Sequence, residues 1–351
     1  MSLREIYKRK NKISFFTTPS HSGKFFIFHK FLNFYKYDIS ETDTHNPEEA
    51  LVLSQKEAAK LYGTYKTLYL TNGSSSGIIA AVLSCVKNGE NVLMWKDGHI
   101  SHHNAVRLAK ANEFYYEMEY DENLSVFTKA DINSFENQLK NNDIKAAIVT
   151  SPTYEGFVSD LESIRKLCKK YGCLLIVDEA HGALYPFNSE LPDSALKYAD
   201  IVIQSLHKTA GGLNPTALIH CNNPDIDIES ALKLITTTSP SYPLLTSIEA
   251  NIRFLNSKRG KKCIQNLINN IKVLRNNCQN TEFYGDDITK ILIRVKGKDG
   301  KYMSGEEISG RLYSKGIEDE KVNKNSVLLL CGVGTDGKKI LKLKNVLKHI
   351  N

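Results

Sequence analysis

The chain has 351 residues, 41% hydrophobic and 24% charged, a balance that suits a globular protein of one or two domains and argues against disorder. Its 46 Lys and Arg against 39 Asp and Glu give a net charge of +7, but the basic residues are spread along the chain, so no nucleic-acid groove is implied. No run of about 18 uninterrupted apolar residues is present, which excludes a membrane-spanning helix, and the seven scattered cysteines include no Cys-x-x-Cys pair, which excludes a zinc knuckle and a disulfide framework.

The basic start, "MSLREIYKRKNKISFF", lacks an apolar signal core, so a cytoplasmic location is expected. Residues 1–45 lack periodic order and read as an arm lying on the rest. From there, short apolar runs each lead into polar or glycine-rich residues. "TLYL" (67–70) precedes "TNGSSSG", "NVLMW" (91–95) precedes "KDGHISHH", and "AAIVT" (146–150) precedes "SPTYEG". "LLIV" (174–177) precedes "DEAHGA", "DIVIQ" (200–204) precedes "SLHKT", and "TALIH" (216–220) follows. Short apolar runs without alternation suit strands buried on both faces.

Helical patterns lie between them. "SSSGIIAAVLSCVKNG" starts on serine and stops on glycine; "DLESIRKLCKKYG" opens on an aspartate cap and ends at a glycine. The alternation predicts an α/β fold with a mostly parallel central sheet over residues 46–255. Beyond it, "KRGKK" (258–262) reads as a solvated helix start. "CIQNLINNIKVLRNN" carries a helical apolar face, and "ILIRV" and "SVLLLC" read as strands. "EEISGRLYSKG" and "KKILKLKNVLKHI" read as helices, so residues 256–351 are expected to form a small C-terminal α/β domain.

Parallel sheets bind ligands outside the carboxyl ends of their strands, and that is where this sequence gathers its reactive side chains. Asp178 directly follows an apolar strand. Its buried carboxylate needs a cationic partner, for which a pyridinium nitrogen would serve, or else it caps the next helix. Lys208 comes one strand–helix–strand unit later. A partly buried lysine near another cation loses proton affinity and becomes the nucleophile that an aldehyde cofactor requires. The serines of "NGSSSG" (72–77) cradle a phosphate at a helix N-terminus or simply cap that helix; the motif is neither a Walker A loop nor a dinucleotide fingerprint. His99 and His103 have metal-ligand spacing but no acidic third ligand nearby, so no metal is expected and His99 is read as a ring that stacks on a flat cofactor. One cradle, one carboxylate, one lysine and one stackable ring describe a pyridoxal 5'-phosphate (PLP) site.

The order of these motifs resembles the Orn/Lys/Arg decarboxylase family of fold-type-I PLP enzymes. The segments are "TPSHSGK" (18–24), "DISETDTHNPEEAL" (38–51), "TNGSSSG" (71–77), "KDGHISHHNAV" (96–106), "SPTYEGFVSDL" (151–161), "VDEAHGA" (177–183), "QSLHKT" (204–209) and "TTTSPSYPLLTSIEA" (236–250). The resemblance implies that Lys208 holds PLP covalently, Asp178 pairs with its ring nitrogen and His99 stacks on the ring. It implies that Ser74, Ser75 and Ser205 bind the phosphate, with His207 and His181 beside the ring, and that Thr237 reaches the phosphate in a neighbouring subunit, so the site would belong to a homodimer. Lysine, arginine or ornithine would lose carbon dioxide; transamination, aldol cleavage, another lyase step or an inactive relative are the alternatives. Glu155, Glu179 and Asp43 are candidates for holding a cationic substrate tail. The sequence departs from the family pattern in "HKTAGGLNPTA" (207–217) and at Leu184, where the family has histidine. The C-terminal "PPGIP…PGE" stretch of longer members does not occur, so a shortened form is expected.

Overall fold

A computed structural model describes residues 14–16, 43–46 and 49–350. The motif at 18–24 and most of the arm at 1–45 lie outside them. The central feature is a seven-stranded sheet in the order β2-β10-β9-β8-β7-β3-β4. Its strands are β2 (Lys66–Leu70), β3 (Asn91–Trp95), β4 (Asn112–Tyr116), β7 (Ile144–Thr150), β8 (Leu174–Asp178), β9 (Ile201–Ser205) and β10 (Ala217–Cys221). β10 runs antiparallel to both its neighbours, β2 and β9, so the other six strands all point the same way. The sequence predicts six of these seven; β4, "NEFYY", is half-exposed and lacks the apolar run that marks the rest.

Helices cover both faces. α1 (Glu49–Tyr62), α2 (Ser74–Cys85) and α3 (Ile100–Ala109) are joined by α4 (Ile132–Asn141), α5 (Leu161–Lys170), α6 (Ile228–Lys233) and α7 (Tyr242–Asn256). α2 and α3 bury Ile78, Ala81, Ala105 and Val106 against one face of the sheet; α4 and α5 bury Phe135, Leu139, Ile164 and Cys168 against the other. α5 shows why such a segment is helical. Asp160 caps it by accepting from the Ser163 backbone N–H at 3.0 Å, Leu161, Ile164 and Cys168 fall on one buried face, and Lys169 and Lys170 sit at the negative end. α2 ends at Cys85, before the predicted glycine stop: Val86 turns extended and Gly89 lies in the following turn.

A second, antiparallel sheet has the order β11-β12-β15-β14, built from β11 (Thr281–Tyr284), β12 (Lys290–Val295), β14 (Lys321–Val322) and β15 (Val327–Leu330). α8 (Lys258–Arg275), α9 (Gly305–Ser314) and α10 (Gly337–Lys348) pack on it. α8 begins at the basic run, capped by Ser257. From the N-terminal segment, β1 (Ser14–Phe15) pairs with β13 (Ile317–Glu318), and Phe16 is fully buried in this second core. A hairpin of β5 (Met118–Asp121) and β6 (Val126–Ala130), absent from the sequence expectations, leans over the mouth of the large sheet. Among the described residues no helix is long and apolar enough to cross a membrane.

Candidate active site

Because six strands point one way, the chain leaves the sheet five times on the same edge with a reactive side chain. After β2, Gly73 adopts φ +88, a left-handed turn that suits glycine, and α2 starts at Ser74 with no side-chain cap. Ser76 turns back onto Asn72 and the Gly73 carbonyl, leaving Ser74 and Ser75 to the cavity. After β3, His99 caps α3, its Nδ1 accepting from the Ser101 backbone N–H at 3.2 Å. Asp178 ends β8, and Ser205 ends β9 just before His207 and Lys208.

These ends enclose a cavity of about 860 Å³. Ser74, Ser75, His99, Asp178, His181, His207 and Lys208 all line it, so most of the predicted site residues converge. Tyr154 and Glu155 join from the loop after β7, Tyr120 and Phe127 from the hairpin, and Glu320 and Lys321 from the edge of the second sheet. Ser205 lies behind this lining. It is fully buried, and its Oγ has no hydrogen-bond partner among the described residues. A buried hydroxyl with no partner is unusual.

The electrostatics separate two poles. Burial works to raise the Asp178 pKa, but the hydrogen bond and charge of His102, with Lys208 beyond, outweigh it and hold the carboxyl at about 2. Its Oδ2 is 3.0 Å from His102 Nε2, and Oδ1 accepts from the Ala180 N–H at 3.1 Å. At the other pole burial lowers the pKa of Lys208, with Asp178 and Glu320 opposing. Its Nζ lies 3.1 Å from Nε2 of His181, and the Nδ1 of that ring lies 2.6 Å from Nζ of Lys290. Burial first, then the two lysines, push His181 far below its ordinary pKa and keep the ring neutral. His207 hydrogen-bonds the Thr216 carbonyl through Nδ1, and burial lowers its pKa as well.

Two expectations need correction. Glu179, read as a candidate for a substrate tail, is spent elsewhere: it accepts from Ser194 Oγ, the Ala195 N–H and Gln204 Nε2 and does not line the cavity. Side chains alternate along the chain end, so Asp178 and its neighbour point to opposite sides. Asp43 also lies away from the cavity, accepting from the His45 N–H. Thr237 is exposed and faces a separate hollow with Thr44 and His45, outside the cavity of its own chain. Glu155 does line the cavity, paired there with Lys321. His103 binds Glu113 and the Lys96 carbonyl, and no group of three metal-ligating side chains forms among the described residues.

Sequence reasoning missed His102 and Lys290. His102 sits inside "HISHH", one turn after His99, on the buried face of α3; that face was the available signal. Lys290 opens an apolar strand 109 residues from its histidine, and nothing in the local pattern marks it.

A mostly parallel sheet clad in helices, with this row of side chains at its strand ends, defines the fold-type-I class of PLP enzymes, to which its structural neighbours belong. Those neighbours include the constitutive lysine decarboxylase of E. coli, with a TM-score of 0.79 at 18% identity over 90% of this chain and 54% of that one. Another is SPT solved with a PLP internal aldimine, with a TM-score of 0.70 at 12% identity over 96% of this chain and 86% of that one. The chain belongs to the Orn/Lys/Arg decarboxylase family: the family's major domain matches residues 4–286. Among curated relatives, the uncharacterized protein YaaO of Bacillus subtilis is 29% identical over 93% of this chain and 72% of its own length. The arginine decarboxylase of Bacillus anthracis is 31% identical over 72% of this chain and 55% of its own length. The chain thus spans little more than half the length of the arginine and lysine decarboxylases it resembles.

Proposed function

We propose that the protein is a PLP-dependent decarboxylase of a basic amino acid (arginine, lysine or ornithine), acting in the cytoplasm as a homodimer. The observation that carries this reading is one cavity holding a lysine of lowered proton affinity and a buried carboxylate, with an unpartnered serine hydroxyl behind it. These suit the three ends of PLP: an aldehyde, a ring nitrogen and a phosphate. Bound PLP supplies a sink for the electrons released when a bond at the amino-acid α-carbon breaks.

In this reading Lys208 holds the cofactor covalently and Asp178 faces the ring nitrogen. Kept ionised by His102, Asp178 stabilises positive charge there without reorganising, which is the main electrostatic contribution a protein can make. His99 and His181 would stand on either side of the ring. Ser74 and Ser75 offer donors at the start of α2, and Ser205 Oγ gains the partner it lacks. His207 lies beside the lysine, able to exchange a proton with the reacting carbon. Thr237, turned away from its own cavity, serves the phosphate of a second copy. Glu155 is the remaining candidate for a cationic substrate tail, and the arginine decarboxylases at about 30% identity favour a guanidinium there.

The decisive experiment is an absorbance spectrum of the purified protein with PLP, followed by incubation with arginine, lysine and ornithine. A near-visible band lost in Lys208→Ala, together with carbon dioxide release from one substrate, is expected. A keto acid product in place of carbon dioxide would mean transamination. A band without turnover of any amino acid would mean an inactive relative.

A further inference from the structure

Lys290 opens β12 of the second sheet, yet its side chain is completely buried. Its Nζ donates to the Tyr154 carbonyl at 2.9 Å and lies 2.6 Å from Nδ1 of His181, whose Nε2 is 3.1 Å from Nζ of Lys208. Gly156 makes room for it. There φ is +95, and a Cβ would come within 2.6 Å of the Lys290 Cβ. A buried lysine costs stability unless it is paired, and the reaction proposed above leaves this one without a task.

We infer that Lys290 is a positioning residue for Lys208, exchanging one proton with it through the imidazole of His181 so that Lys208 can stand as a free amine. The inference rests on the reading of Lys208 as the amine that meets a carbonyl. The exchange balances. With Lys208 as ammonium, it donates to Nε2, and Nδ1–H donates to a neutral Lys290. When Lys208 passes its proton to Nε2, Nδ1 releases its own to Lys290. Lys208 is then neutral, the ring is again neutral with its proton on Nε2, and Lys290 carries the charge. A neutral imidazole can do this because one nitrogen donates while the other accepts.

Charged groups press on both lysines. Lys290 faces Asp287, whose carboxylate is held by Tyr185 and Thr289, and also Glu155 and Tyr154 from the loop after β7 and Glu320 beside β14. Lys208 faces Asp178 and Glu320, and His207 and His99 stand around the shared ring. Burial brings Lys290 down to about 7, with Asp287 opposing and Lys208 adding to the fall.

Acetylation by acetic anhydride tests this on the full chain, stripped of any aldehyde with hydroxylamine and read by mass spectrometry at Lys208 across neutral to alkaline pH. Lys290→Met should raise the Lys208 midpoint by about one unit, slowing its acetylation roughly tenfold at neutral pH. His181→Phe removes the acceptor of the Lys208 ammonium and should not raise that midpoint. An unchanged Lys208 profile in Lys290→Met, or a midpoint raised by His181→Phe, overturns the inference. If Lys290→Met does not fold, nitrogen NMR of the wild-type His181 ring decides: one ring proton across the neutral range is required, and a doubly protonated ring overturns it. None of these measurements uses PLP, so a failed absorbance test would remove the carbonyl chemistry and leave the proton exchange separately measurable.

Discussion

His102 Nε2 stands 3.0 Å from Asp178 Oδ2, and both side chains are buried, so an imidazole on α3 and a carboxylate at the end of β8 are locked together across the floor of the cavity. The pair makes Asp178 an ionised group in a place where burial alone would make it an acid.

Replacing His102 with leucine leaves that carboxylate buried without its main partner. A loss of about 2 kcal/mol is expected, the cost of an unsatisfied buried polar group. The folded pKa of Asp178, about 2, lies below the ordinary 3.8, so its stabilising contribution is complete above 3.8 and fades as pH falls toward 2. Without His102 burial raises the folded pKa above 3.8, so this acid-side loss should vanish and stability should improve as the carboxyl is protonated. Urea midpoints measured from neutral to acid pH check this, and superimposable curves for wild type and His102→Leu would contradict it.

Ser205→Ala separates a structural serine from a ligand-binding one. The hydroxyl has no partner to lose, so urea stability should stay within about 0.5 kcal/mol of wild type. Affinity for PLP should fall about tenfold, equivalent to ~1.4 kcal/mol. The opposite pattern, a destabilised protein with undiminished PLP affinity, would mean the hydroxyl has a hidden structural partner.

Glu179 carries a pH signature of its own. Burial raises its pKa to about 7, against the lowering effect of the three donors around it. A carboxyl whose folded pKa exceeds its ordinary 4.5 favours the folded state below 4.5 and loses that contribution as pH rises through 7. Glu179→Gln should therefore flatten the decline in stability between those values. Thermal melts in that window that decline equally in both proteins would refute the assignment.

Gly156→Ala should destabilise the protein by about 1–3 kcal/mol, through a side chain forced into the left-handed region and driven against Lys290. The same loop carries Glu155, so the cavity wall should shift with it. A denaturation midpoint equal to wild type would show that the two segments are not held as closely as their separation implies.

The residues at the strand ends were legible because the signals are local. An apolar run ending in Asp178, or in Ser205 followed by His207 and Lys208, announces both a buried strand and what stands at its mouth. Glu179 was misread because the same local signal cannot say which of two adjacent carboxylates turns inward; the pull of Ser194, Ala195 and Gln204 decides that. β4 was missed for a related reason. At an edge its exposed half tolerates polar residues, so it lacks the pattern of a central strand.

By itself, then, the chain determined where six of the seven strands of the large sheet and the main helices lie, and which reactive groups stand at their junctions. Those properties depend on neighbours within a turn or two, through caps, glycines and apolar periodicity. Only the tertiary structure decided that β10 runs against its neighbours, that His102 meets Asp178 across 76 residues, and that Lys290 reaches His181 across 109. Those contacts form when two sheets and the loops between them close on one cavity. Burial then forces each polar group to find whichever partner the packing leaves within reach.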